Sequence, residues 1–239
     1  MKYKFETEKK NYADYASGRV LYNQKGATAF PVRLGNEIYL RSKNYLKEKE
    51  INPPYTVCDP CCGGAYLLTI LGLLNVNDFS KIIASDIELE MVELARRNLS
   101  LLTREGINQR IEEIKRDIDK YNKTSHKKAL ISAKNLKKKV KMIDKKIAIK
   151  CFQKNALVKF NTNKKIDLLI TDLPYGNIAE WSGEQDDKLR IFLDNIYLNL
   201  DVSLLAITCS KKQKIEHSSF NRLKHFTIGK RRTSFLEPV

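Results

Sequence analysis

At 239 residues the chain fits a single domain with room for an insertion, and 42% hydrophobic against 30% charged residues is the balance of a globular protein rather than a disordered one. The net charge of +16 is not part of that ordinary balance and points to a polyanionic partner. No apolar run approaches a membrane span and Met1-Lys2-Tyr3-Lys4 leads into no signal-peptide core, so no membrane partner is expected; the odd count of five cysteines reads as a reduced, cytoplasmic pattern, and a monomer is expected.

Residues 1–29 are polar and are expected to wrap the surface. Pro31 opens a helical pattern with Val32, Leu34, Ile38, Tyr39 and Leu46 on one side, and Asn52-Pro53-Pro54 stops it. Arg33 on that helix reads equally as a solvated charge or as a ligand contact. Tyr55–Cys58 predicts a short strand and Asp59-Pro60-Cys61-Cys62-Gly63-Gly64-Ala65 a tight turn. Tyr66–Leu74 follows as a buried helix. Strand, glycine turn and helix bring backbone amides against a nucleotide-like ligand. The spacing is neither that of a dinucleotide fingerprint nor that of a P-loop. An acid at the strand tip would repel a pyrophosphate but suits the cationic aminopropyl part of S-adenosylmethionine. Cys58, Cys61 and Cys62 crowd together, yet zinc would need a fourth ligand and the histidines lie far off in sequence, so no metal is expected.

A second strand, Lys81–Ser85, ends at Asp86-Ile87, where a carboxylate would accept ribose hydroxyls. The alternative for Asp59 and Asp86 is helix capping in an unrelated α/β protein. Glu88–Leu102 predicts a helix covering the sheet. From Arg104 to Lys150 there are 16 basic and 6 acidic residues, while Leu130, Leu136, Val140, Ile143 and Ile147 recur at helical spacing. A basic helical insertion at about 104–147 is expected, its exposed face either gripping nucleic acid or merely solvated. Ala148–Phe152 predicts a third strand, with Asn155 and the Ala156 N–H beyond it placed to read the edge of an adenine.

Ile166–Ile170 is the most apolar strand candidate, and it ends in Thr171-Asp172-Leu173-Pro174-Tyr175-Gly176. Asp172 and the carbonyls beside Leu173 and Pro174 supply acceptors, while Tyr175 supplies a plate for stacking. Such a set suits a planar base bearing an exocyclic amine; the alternative is an ordinary turn. Trp181 stands in the polar loop that follows, as a site residue or as an anchor of the loop. Leu189–Leu200 predicts a helix and Val202–Thr208 a strand. Leu223–Ile228 and Thr233–Leu236 predict an antiparallel hairpin with a basic tip at Gly229-Lys230-Arg231-Arg232.

The order of these strand ends resembles class I S-adenosylmethionine-dependent methyltransferases, and Asp172–Tyr175 resembles their (D/N)PPY motif with Leu173 in place of the first proline. More narrowly, the chain resembles the avilamycin-resistance 23S rRNA guanine methyltransferases. The matching stretches are Ser17–Leu21, Ala29–Leu34, Asp59–Gly63, Tyr66–Thr69 with Leu71–Leu74, and Thr171–Gly176. Ala65 departs from the pattern where a second glycine is usual. The resemblance implies a single domain over 1–239, Rossmann-like and doubly wound. Its sheet would have seven mostly parallel strands with a C-terminal antiparallel hairpin. It also implies S-adenosylmethionine held by Arg33, Asp59, Cys61, Cys62, Gly63, Gly64, Asp86, Ile87, Asn155, Ala156 and Asp172. The target base would be held by Asp172, Leu173, Pro174 and Tyr175. The substrate would be a guanine of 23S rRNA, and the outcome resistance to orthosomycin-type antibiotics. Methylation of another RNA or DNA amino group, or RNA binding without catalysis, are the alternatives.

Overall fold

The computed structural model describes residues 3–24, 29–159, 165–173 and 185–239. Pro174, Tyr175 and Trp181 lie outside the described residues.

Seven strands form one sheet: β1 (Tyr55–Asp59), β2 (Phe79–Asp86), β3 (Ala148–Gln153), β4 (Ile166–Asp172), β5 (Val202–Ser210), β6 (Phe220–Ile228) and β7 (Arg231–Pro238). Their order is β3-β2-β1-β4-β5-β7-β6. The first five in that order run parallel; β7 pairs antiparallel with both β5 and β6. The predicted mostly parallel, hairpin-ended sheet is thus observed. Parallel strands are buried on both faces, which is why β4 reads as a continuous apolar run.

Strand periodicity divides the core in two. Val57, Ile82, Ala84, Leu168 and Ile170 point into one cluster, Cys58, Ile83 and Leu169 into the other. The first cluster is filled by α1 (Val32–Glu48), α2 (Tyr66–Leu74), α3 (Leu89–Ser100), α4 (Arg104–Tyr121) and α5 (Thr124–Lys141). The second is covered by α6 (Gln185–Asn199) through Leu189, Phe192, Leu193 and Ile196. Pro31 stands at the N-cap of α1, as its fixed φ favours.

The expectation that residues 1–29 only wrap the surface needs correction. Val20 and Leu21 are fully buried and Tyr15 nearly so. The glutamate Glu37 inside α1 explains how a polar segment is held there. It accepts the backbone N–H groups of Lys4, Phe5 and Glu6 at 2.6, 2.9 and 2.8 Å, and pairs with Arg41 at 2.7 Å. Burial alone would raise its carboxyl, but these bonds outweigh burial and hold it below the usual carboxylate range. A buried charge has replaced the strand ladder that these N–H groups would otherwise require.

The basic insertion is a helical hairpin, turned at Asn122 in the left-handed region (φ 46°). Its two arms differ in charge. α4 carries five bases and five acids, whereas α5 carries seven lysines and no acid. Leu136 and Val140 of α5 face the core, and Lys127, Lys128, Lys134, Lys138 and Lys141 are exposed.

Candidate active site

The order of strands reverses at β1: the chain goes from β1 to β2 on one side and returns to β4 on the other. Open α/β sheets hold ligands at the carboxyl ends of strands at such a point. Asp59, Asp86 and Asp172 are the last residues of the three strands there. Asp59 is level with Ala84, and Cys58 with Leu169, so Asp86 and Asp172 each project two residues further than Asp59.

Asp59 is 2% exposed and accepts the Cys61 N–H at 3.1 Å. Burial pushes its carboxyl up to about 7; the charges of Asp86 and Asp172 add to the rise and the Cys61 bond opposes it. Thr171 reaches toward it from β4, but its buried hydroxyl completes no hydrogen bond of normal geometry. Burial pushes Asp172 up to about 7 as well, against the pull of Arg231. These carboxylates repel one another across a small space, which suits a cationic ligand.

Asp86 organises the glycine turn. One carboxylate oxygen accepts the Gly63 N–H at 2.7 Å, the other the Glu88 N–H at 3.1 Å. Each oxygen retains a second acceptor position, as a pair of vicinal hydroxyls would require. Gly63 has φ +51° and open space where a side chain would stand, so the ligand side of the turn is clear. Gly64 is closed instead: a Cβ would lie 2.6 Å from Leu94 Cδ2. Ala65 adopts φ 51° and caps α2 from the left-handed region, taking the strain that a second glycine would have relieved.

Beyond β3 the Lys154 N–H bonds to Asp86 O at 2.8 Å and Gln153 Nε2 to Ile87 O at 2.9 Å, which brings Asn155 and Ala156 beside the end of β2. Asn155 Oδ1 is taken by the Leu157 N–H at 2.8 Å, leaving its amide N–H groups for a ligand edge. Ile87 is 54% exposed next to Asp86, an apolar surface of the kind a planar ring covers.

The cysteines separate. Cys58 packs into the second core cluster with Cys61 against it, whereas Cys62 lies in the first and donates to Gly63 O at 3.3 Å; burial raises the Cys61 thiol well above its ordinary value. Leu173 is 1% exposed and its N–H bonds to Thr208 O at 2.9 Å, so only its carbonyl is left to face a base. Arg33 is drawn away toward the N-terminal segment. It donates to the carbonyls of Glu6 and Thr7 at 2.7–3.0 Å and lies over the Tyr3 ring. These contacts make it neither the purely solvated charge nor, by themselves, the ligand contact that the sequence offered.

Two residues were missed from sequence. Asn98 of α3, 1% exposed, donates to Gly64 O at 2.9 Å and exchanges bonds with the Tyr22 backbone, tying the N-terminal segment to the glycine turn. Its position on an apolar helix face was the available signal. Arg231 opens β7, and its Nε lies 3.8 Å from Asp172 Oδ2. A basic hairpin tip gave no sign of that proximity.

Known proteins resemble this chain in sequence and fold. A family model described as rRNA methyltransferase AviRa matches residues 1–231. The 23S rRNA (guanine(2535)-N(1))-methyltransferase of Streptomyces viridochromogenes is 31% identical over 237 residues, covering 96% of this chain and 93% of that one. A solved structure of the rRNA methyltransferase aviRa from the same organism has a TM-score of 0.86 at 29% identity, covering 99% of this chain and 96% of that one. The N-terminal domain of human METTL16 in complex with SAH shares the fold alone, with a TM-score of 0.51, 12% identity, and coverage of 88% and 72%. With the family match running through nearly the whole sequence, this chain belongs to the AviRa family of rRNA methyltransferases.

Proposed function

We propose that the enzyme methylates a guanine of 23S rRNA at N1, using S-adenosylmethionine. The observation that carries the reading is the trio Asp59, Asp86 and Asp172 at adjacent strand ends, in a chain 31% identical to an enzyme with that named activity. The donor supplies a methyl group on a positively charged sulfur. Asp86 accepts from the ribose hydroxyls, Asn155 and the Ala156 N–H meet the adenine edge, and Ile87 lies against its ring. Gly63 and Asp59 would hold the amino-acid portion, the buried Asp59 carboxyl regaining its charge beside a cation.

The named relative acts on a ring nitrogen, which changes the task of Asp172. An exocyclic amine needs only an acceptor to orient it, whereas N1 carries a hydrogen that must leave before its electron pair can attack. Positioning supplies much of the acceleration, with Leu173 O, Pro174 and Tyr175 completing the base site. The exposed lysines of α5 hold the rRNA backbone through charge.

Transfer of tritiated methyl into naked 23S rRNA, large subunits and whole ribosomes tests the proposal. A single N1-methylguanosine is expected, together with resistance to an orthosomycin antibiotic in cells expressing the enzyme. Label in DNA alone, or none in any RNA, would overturn it.

A further inference from the structure

Asp172 has one oxygen with no partner. Oδ1 is shielded from water and meets no donor among the described residues, while Oδ2 lies 3.8 Å from Arg231 Nε, too far for a hydrogen bond. A buried acceptor left in this way is costly unless a ligand completes it. The register of the sheet explains why Arg231 is the residue beside it. Asp172 pairs with Thr208, Thr208 with Thr233, and Ser210 with Arg231. Because β7 is antiparallel, it begins where the parallel strands finish, and alternation along the strand sets Arg231 on the same face as Thr233. The guanidinium also lies 5.2 Å over the Phe30 ring, which steadies its plane.

We infer that Arg231 and Asp172 together read the Watson–Crick edge of the target guanine, the guanidinium donating to O6 and the carboxylate accepting the N1 hydrogen and then removing it. This rests on the N1 reading above. Guanine presents an acceptor, O6, beside a donor, N1–H; the pair presents a donor beside an acceptor. Adenine presents the reverse, an amine and a bare N1, so it would set donor against donor and acceptor against acceptor. A guanidinium carries five N–H donors and can face Asp172 and a base oxygen together.

The chemistry balances. The N1–H electron pair stays on nitrogen and becomes the new N1–CH3 bond, and the proton passes to Asp172. The pair of the broken S–C bond stays on sulfur, which loses its positive charge. As N1 loses its proton, negative charge spreads to O6, where a fixed cation is most effective. Burial sets the Asp172 carboxyl at about 7, near the working pH of a general base. Among the described residues, the charged or titratable groups facing it are Arg231 on β7, Asp59 on β1 and Cys209 on β5.

The test is single-turnover methyl transfer to 23S rRNA across about pH 5.5 to about pH 9, with the product nucleoside identified by mass spectrometry. Arg231→Gln should slow transfer by about a hundredfold or more. It should also move the pH midpoint upward, because the carboxylate is deprived of its cation. Calorimetry should find its affinity for S-adenosylhomocysteine unchanged, which a collapsed site would not allow. Arg231→Lys keeps the charge without the planar fork; it is slower with the wild-type midpoint, and it carries the test if the Gln variant fails to fold. N1-methylguanosine made at wild-type rate and midpoint by either variant would overturn the role of Arg231 alone. A wild-type product methylated at another atom would instead overturn the N1 reading, and this inference with it.

Discussion

Asp86 shows how one side chain can serve a turn and a ligand together. Its two bonds to the Gly63 and Glu88 N–H groups fix the loop, and its remaining lone pairs face outward. Asp86→Ala should therefore weaken S-adenosylhomocysteine binding by about 1.5–3 kcal/mol, the scale for hydrogen bonds to a charged group. Isothermal calorimetry on the folded variant checks this, and unchanged affinity would remove Asp86 from the cofactor site. Gly64 tests packing instead. An added methyl meets Leu94 at 2.6 and 2.9 Å, so Gly64→Ala should cost about 1–3 kcal/mol in chemical denaturation. At Ala65 two effects oppose each other. Glycine would relieve the left-handed backbone but give up a fully buried methyl worth about 0.8 kcal/mol, so Ala65→Gly should be close to neutral. The three aspartates were legible in the sequence because an apolar run ending in an acid is a local signal. Arg231 and Asn98 were not. Each acts on partners that only sheet register and helix packing bring near.

At the scale of elements, strand and helix positions followed from periodicity, and the main error lay in the N-terminal segment. Its polarity suggested a surface wrap, but Glu37 and Asn98 satisfy its backbone from within. The helical character of the insertion was legible from its apolar stripe. Its division into a neutral arm and a cationic arm became visible only once the turn at Asn122 was located. That division sharpens the expectation for RNA binding. Replacing Lys127, Lys128, Lys134 and Lys138 by Gln should flatten the dependence of log affinity on log salt. Each phosphate that is no longer neutralised takes about 0.7–0.9 off the slope. Neutralising Lys115 and Arg116 of α4 should leave the slope alone, and cofactor affinity should not change in either variant. Filter binding of 23S rRNA over a salt series decides the matter; equal effects from the two helices would mean that general charge is responsible.

Across the whole molecule, a cationic protein carries a cluster of aspartates at adjacent strand ends, and the cluster makes stability depend on pH. Asp59 and Asp172 have folded values of about 7 against an ordinary 3.8. Between those values the folded state binds more protons than the unfolded one, so stability falls as pH rises through the window and the penalty is complete above about 7. Glu37 works in the opposite sense, but its contribution is lost only as pH falls below the usual carboxylate range. Added positive charge at low pH opposes the trend weakly, because salt at about 0.15 M screens beyond about 8 Å. The ligand-free enzyme should accordingly melt at a higher temperature at pH 5.5 than at pH 8. Asp59→Asn and Asp172→Asn should each raise the melting temperature at pH 8 and flatten the profile. A melting temperature that climbs with pH would show that these carboxylates are charged and well paired.

The position of β7 has a consequence for when the enzyme can work. Although late in the chain, this strand lies inside the sheet, between β5 and β6, and brings Arg231 beside Asp172. The residues that pair β1 to β5 can emerge from the ribosome and assemble their parallel core first. Until Arg231–Pro238 has followed, β5 keeps an open edge and Asp172 lacks Arg231 beside it. A chain in which β7 has not yet docked on β5 would therefore hold Asp172 without the cation proposed to work with it.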